Sequence, residues 1–205
     1  MADVSLTAAF STVPAAEAEE LATKLLANGT LAAAISWSHA SRNIQHHAVS
    51  TTSLLVLHDL QTVYTRDQGF GGKQLTEDIM RFYGMSYEEA GKAKRLGNLP
   101  PNYENEVLSH FIADMAQQID RSLQFFFAAA SRHNVIDQVI LAGGCAHIPG
   151  VEAAIHQRLQ IPCVIAQPFA KMSIGSRAKP AQLGQDQASM LIAAGLALRA
   201  FDLDN

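Results

Sequence analysis

The run Val139-Ile140-Leu141-Ala142-Gly143-Gly144-Cys145-Ala146-His147-Ile148-Pro149-Gly150 is the most informative segment of this 205-residue chain. An apolar, β-branched strand over Gln138–Ala142 stops at Gly143-Gly144. Small residues follow, and Pro149-Gly150 opens a helix through Leu159. Paired glycines let a ligand approach the backbone closely. Free N–H groups in a loop that feeds a helix suit an anion. Read alone, the segment is either a nucleotide-binding turn or a tight turn that only reverses the chain.

Working outward, Pro162–Ala166 reads as the next strand and Asp186–Arg199 as a closing helix, with Met172–Gln185 irregular between them. Upstream, Val107, Leu108, Phe111, Ile112, Met115, Ile119, Leu123, Phe126, Phe127 and Ala130 recur at helical spacing, which predicts one long helix over Glu104–Arg132. Ser86 with Glu89 is a capping-box pair opening a short helix, Tyr87–Arg95. Lys73–Tyr83 reads as a helix with Leu75, Ile79 and Phe82 on its apolar side. Ser53–His58 and Gln61–Arg66 read as the strands of a hairpin turning at Asp59-Leu60. Ala15–Ala27 reads as a helix, and Leu31–Trp37 as a buried strand or a short helix. The order of strands and helices is that of an α/β fold.

The composition, 48% hydrophobic and 17% charged, is that of a globular protein. A net charge of −4 argues against a nucleic-acid or anionic-membrane binder. No apolar run approaches the ~20 residues that cross a bilayer, and the N-terminus lacks the cationic start of a secretory signal. A cytoplasmic location with two reduced thiols, Cys145 and Cys163, is the expectation.

The Gly143-Gly144 segment, in this context, resembles the adenosine loop of the actin-like ATPases such as actin and the heat-shock chaperones. Other motifs narrow the likeness. Phe70-Gly71-Gly72-Lys73-Gln74-Leu75-Thr76-Glu77-Asp78-Ile79, Tyr87-Glu88-Glu89-Ala90-Gly91-Lys92-Ala93-Lys94, Leu123-Gln124-Phe125-Phe126-Phe127 and Gly195-Leu196-Ala197-Leu198-Arg199-Ala200-Phe201-Asp202 are similar to the PilM-type proteins of type IV pilus assembly, in the same order. The resemblance spans about Ser50 to Asp202 and implies the C-terminal half of an actin-like, ribonuclease H-like fold. It implies a core subdomain from 45–70 and 137–205, an inserted, mostly helical subdomain over 71–136, and a divergent N-terminal segment over 1–44.

It further implies that Gly143, Gly144, Cys145 and Ala146 lie beside a nucleotide's ribose and phosphates, that Lys94 and Glu89 lie toward the adenine, and that Gly71 and Gly72 shape the cleft floor. ATP and magnesium are the cofactors so implied. On residue chemistry alone, Lys92 and Lys94 would be a solvated helix face. The family carries an Asp-Ile-Gly triplet before the hairpin, where the carboxylate and glycine serve the phosphates and magnesium. Here His46-His47-Ala48 stands at that place, and nothing in residues 1–44 matches the family's earlier phosphate loop. Without a metal carboxylate little would polarise a γ-phosphate, so no ATP hydrolysis is expected from this chain alone.

No histidine pair has the spacing and company of a zinc site. His147, two residues from Cys145, is poorly placed to activate it. No catalytic residue and no metal ligand is assigned. The implied function is a structural component on the cytoplasmic side of the pilus inner-membrane platform, binding the tail of a PilN-type membrane protein, working with the pilus motor ATPases, and able to self-associate. The rival readings are an ATP-binding actin-like ATPase and a cytoplasmic component of a type II secretion system.

Overall fold

In the computed structural model the described residues are 31–38, 51–58, 61–129, 135–170, 183–184, 186–191 and 193–194. Among them five strands form one sheet: β1 (Leu31–Ser38), β2 (Thr51–His58), β3 (Gln61–Gln68), β4 (Gln138–Gly143) and β5 (Cys163–Ile165), in the order β3-β2-β1-β4-β5. β1, β2 and β3 are an antiparallel meander, and β4 and β5 add to it parallel to β1. The helices are α1 (Gly72–Tyr83), α2 (Tyr87–Leu96), α3 (Ser109–Ala129) and α4 (Val151–Leu159). The α/β class and the β2–β3 hairpin agree with the sequence reading.

Leu54, Leu55, Val56 and Leu57 are all buried, as are Val139 through Gly143. Consecutive burial means that both faces of these strands are covered, hence their unbroken apolar sequences.

The sheet begins earlier than the expected core boundary at residue 45. Leu31–Ser38 is its central strand, hydrogen-bonded to β2 on one side and β4 on the other. A short apolar run has no alternation by which to tell strand from helix, and here the two flanking strands decide it. The helix read over Ala15–Ala27, the His46-His47-Ala48 triplet and the Gly195–Asp202 motif lie outside the described residues.

The long helix starts differently from its reading. Glu104–Leu108 forms a π-helical turn, and the regular α-helix runs from Ser109 to Ala129. Its stripe is as read: Val107, Phe111, Met115, Ile119, Leu123 and Phe126 are buried. Phe111 stacks on Phe70 with ring centroids 5.2 Å apart, and Phe126 meets Tyr64 of β3 at 5.4 Å. Asp120 accepts from Arg158 of α4 at 2.8 Å.

In α1, Leu75 and Ile79 are buried as read, but Phe82 is 49% exposed. Met80 and Tyr83 pack against the core from that last turn instead, and Gly84, left-handed at φ 65, ends the helix there. In the closing segment, Gln187–Met190 is a 3₁₀ turn, with Ala188, Leu191 and Ala194 buried.

Phe111 carries two duties, core filling and the stack that holds Phe70. Phe111→Ala is expected to destabilise the fold by about 3–5 kcal/mol, read as a lower urea midpoint with an unchanged slope.

Candidate functional site

β1, β4 and β5 run parallel, so their carboxyl ends lie on one side of the sheet, the side where open α/β sheets offer a crevice. The Gly143-Gly144 turn sits there. Gly143 adopts φ 88 and ψ 178, a region essentially closed to residues with a side chain. The strand can break at this point because residue 143 is glycine. Gly144–His147 then forms a 3₁₀ turn, with the Ile148 N–H donating to the Cys145 carbonyl at 3.2 Å. Gly150, at φ 87, caps α4. Cys145 and Ala146 are buried, and Gly144 is exposed.

The second wall is the segment after β3. The buried Thr52 hydroxyl of β2 donates to the Phe70 carbonyl at 2.6 Å. Gln74 N–H donates to the Gly71 carbonyl at 2.9 Å, which starts α1. Gly72 is thereby fixed against the β4–α4 turn. A methyl group on it would lie 3.7 Å from Cys145 Sγ and 3.9 Å from Lys94 Nζ.

Lys94, from α2, closes the cluster. Its ammonium donates to the Gly72 carbonyl at 2.9 Å and to Thr76 Oγ1 at 2.6 Å. Thr76 Oγ1 in turn donates to the Gly72 carbonyl at 3.1 Å. No carboxylate pairs with Lys94 among the described residues. Burial holds its pKa below the ordinary lysine value, with Arg95 adding to that and Cys145 opposing it. Burial pushes the Cys145 thiol up to about 11, against the pull of Lys94 and of the Gly72 N–H. Dehydration thus acts against the charged form of both groups. A thiol so protonated is a poor nucleophile.

The fold thus brings together Gly72, Lys94 and Cys145, flanked by Gly71, Gly143, Gly144 and Ala146. Glu89 is not in this cluster. Its carboxylate accepts from the Ser86 N–H at 2.8 Å and the Ser86 hydroxyl at 2.7 Å, completing the capping box read from the sequence. Those bonds hold its pKa below the usual carboxylate value. Thr76 was missed. It lies one turn after Gly72, and only the arrival of Lys94 from a separate helix gives its hydroxyl a role.

The donor set can be compared with a magnesium–nucleotide group. The backbone turn at Gly143 fits close approach of a ligand. The strand beside it is β1, with Ser36 opposite Ala142 and Trp37 opposite Gly143. Leu31–Ser38 contains no Asp or Glu. Among the described residues no cluster of three or more His, Cys, Asp or Glu could hold a metal. The residues described beside the turn therefore do not fit magnesium-bound phosphates. Among the described residues, no helix is long and apolar enough to cross a membrane.

Comparison with solved structures places this geometry. The chain is similar to a PilM-PilN type IV pilus biogenesis complex, at 22% identity and TM-score 0.67, over 90% of this chain and 48% of that one. It is similar to ethanolamine utilization protein EutJ from Carboxydothermus hydrogenoformans, at 17% identity and TM-score 0.56, over 89% and 53%. It is also similar to MreB5 of Spiroplasma citri bound to AMPPNP, at 14% identity and TM-score 0.57, over 92% and 59%. These likenesses define the fold as actin-like. The chain belongs to the family of type IV pilus assembly protein PilM, whose model matches residues 15–201. It spans about half the length of the solved structures it matches.

Burial also raises the half-buried Cys163 to about 11, with the Glu152 charge adding to the shift. A rise from 9 to about 11 leaves about 100-fold less thiolate at pH 8. Iodoacetamide is expected to alkylate the folded protein slowly at pH 8, with the rate climbing toward pH 11 rather than levelling near 9. Lys94→Met leaves the Thr76 hydroxyl and the Gly72 carbonyl without their charged donor. It is expected to cost about 1–3 kcal/mol and, because the pull of Lys94 on the thiol is lost, to slow alkylation of Cys145 further, measurable by denaturation and mass spectrometry.

Proposed function

We propose that this chain serves type IV pilus assembly as an interaction component that does not hydrolyse ATP, held at the inner membrane by docking the cytoplasmic tail of a PilN-type protein. Residues 31–70 and 137–205 would form its core subdomain, with the helices over 71–136 as the inserted unit. The observation that carries the reading is the donor set at the sheet's carboxyl edge. Lys94, the cation nearest the Gly143-Gly144 turn in this cluster, has its ammonium engaged by Gly72 and Thr76, and the strand beside the turn has no carboxylate. Phosphoryl transfer relies on charge placed around the phosphates, and the residues described here do not supply it.

The PilN-type tail is proposed because one similar structure is described as a PilM-PilN complex. Work alongside the pilus motor ATPases, and self-association, belong to the same proposal. A second reading, nucleotide binding without hydrolysis, is favoured by one observation, the Gly-only conformation at 143. In that reading Gly143, Gly144, Cys145 and Ala146 would face the ribose and phosphates.

Calorimetry separates these readings. Titration with ATP and magnesium is expected to give no saturable heat, and no phosphate release should exceed that of a heat-denatured control. Turnover abolished by Gly143→Val would overturn the proposal. Binding without turnover would select the second reading. A synthetic PilN-type tail is expected to bind, and the corresponding tail of a type II secretion membrane protein is not. The reverse preference would move the chain to secretion.

A further inference from the structure

A groove of about 370 Å³ lies between the end of α1 and the start of α3, away from the Gly143-Gly144 turn. Its exposed apolar surface is Phe82, over the buried Val107 and Phe111; its rim carries Asp78, Glu106 and Asp114, with His110 one turn from each of the last two. Arg81 also lines it, but its guanidinium is 3.8 Å from Asp78 and 4.0 Å from Glu77, both on its own helix. Glu106 and Asp114 have no ion-pair partner among the described residues, and the three carboxylates outnumber Arg81 and His110 together, so the groove presents net negative charge.

Two further features mark it. Phe82 breaks the core pattern of α1 and stands 49% exposed, yet it is not loose. Its ring meets Tyr83 edge to face at 5.0 Å, and the Tyr83 hydroxyl is tied to Asn102 Oδ1 at 3.1 Å. An exposed aromatic already held in place is a cheap anchor for a partner, because little entropy is lost on binding. Glu106 and Val107 project from the π-helical turn Glu104–Leu108, a geometry that is rare and frequent at functional sites.

We infer that this groove docks a basic segment of another protein, placing a Lys or Arg against Glu106 or Asp114, to either side of His110, and an adjacent apolar side chain against Phe82. Charge complementarity selects that occupant: an acidic or phosphorylated segment would meet like charge, and a purely apolar one would leave the carboxylates partly dehydrated without a partner. The inference stands apart from the docking of the PilN-type tail, since it rests on no similarity to another protein.

The test is selection of a random 12-residue peptide library on the full chain, followed by affinity measurement of the enriched peptides. Enriched peptides are expected to pair Lys or Arg with a neighbouring apolar residue. Their affinity should fall at least 10-fold in Phe82→Ala and in Glu106→Lys/Asp114→Lys, fall with added salt, and stay unchanged in Glu152→Lys. All the substituted residues are exposed, and circular dichroism would verify that the variants fold. Absence of enrichment, enrichment of acidic peptides, or equal binding to the groove variants would overturn the inference. So would a dimer of the wild-type chain that Phe82→Ala converts to monomer, since the occupant would then be a second copy.

Discussion

The parallel ladder between β1 and β4 joins two parts of the chain that share no local contact. Ala32 through Trp37 pair in register with Gln138 through Gly143. On one side of this seam hangs the antiparallel meander, and on the other β5. The register sets where β1 ends relative to the glycine pair, and therefore what chemistry faces the turn.

The helices are held to that seam by different physics. α3 is held by a buried stripe and by ring contacts to Phe70 and Tyr64. α2 has only Ala90 buried among its residues, and Lys94 ties it to the first turn of α1. Three polar groups, the ammonium, the Thr76 hydroxyl and the Gly72 carbonyl, satisfy one another in a partly dehydrated place. Such a network is worth most when complete. Lys94 thus fixes α2 against α1.

Much of the architecture was legible in the sequence because it is written locally. The hairpin, the capping box at Ser86, the α3 stripe and the strand–glycine–helix order each follow from spacing within one continuous stretch of chain. β1 was ambiguous because Leu31–Ser38 is Ala-rich and flanked in space by strands that are distant in sequence. Phe82 falls on the apolar side of α1 by periodicity, yet from that turn Met80 and Tyr83 meet the core and Phe82 does not. At the site, the glycines and Lys94 were visible as residue types, but their convergence on Gly72 was not, since α1, α2 and the β4–α4 turn meet only in three dimensions. Glu89 shows the converse: its capping role was readable from Ser86 alone, and that role occupies its carboxylate.

The seam also bears on how the molecule is made. During synthesis β1 leaves the ribosome about a hundred residues before its parallel partner, a delay of roughly 5–20 s at ordinary elongation rates. Until then its β4-facing edge presents unpaired backbone N–H and C=O groups on a largely apolar sequence. A nascent strand in that state is a target for pairing with other chains. Holding factors at the ribosome exit would protect it during that interval, and translation slowed between α1 and α3 would lengthen the exposure.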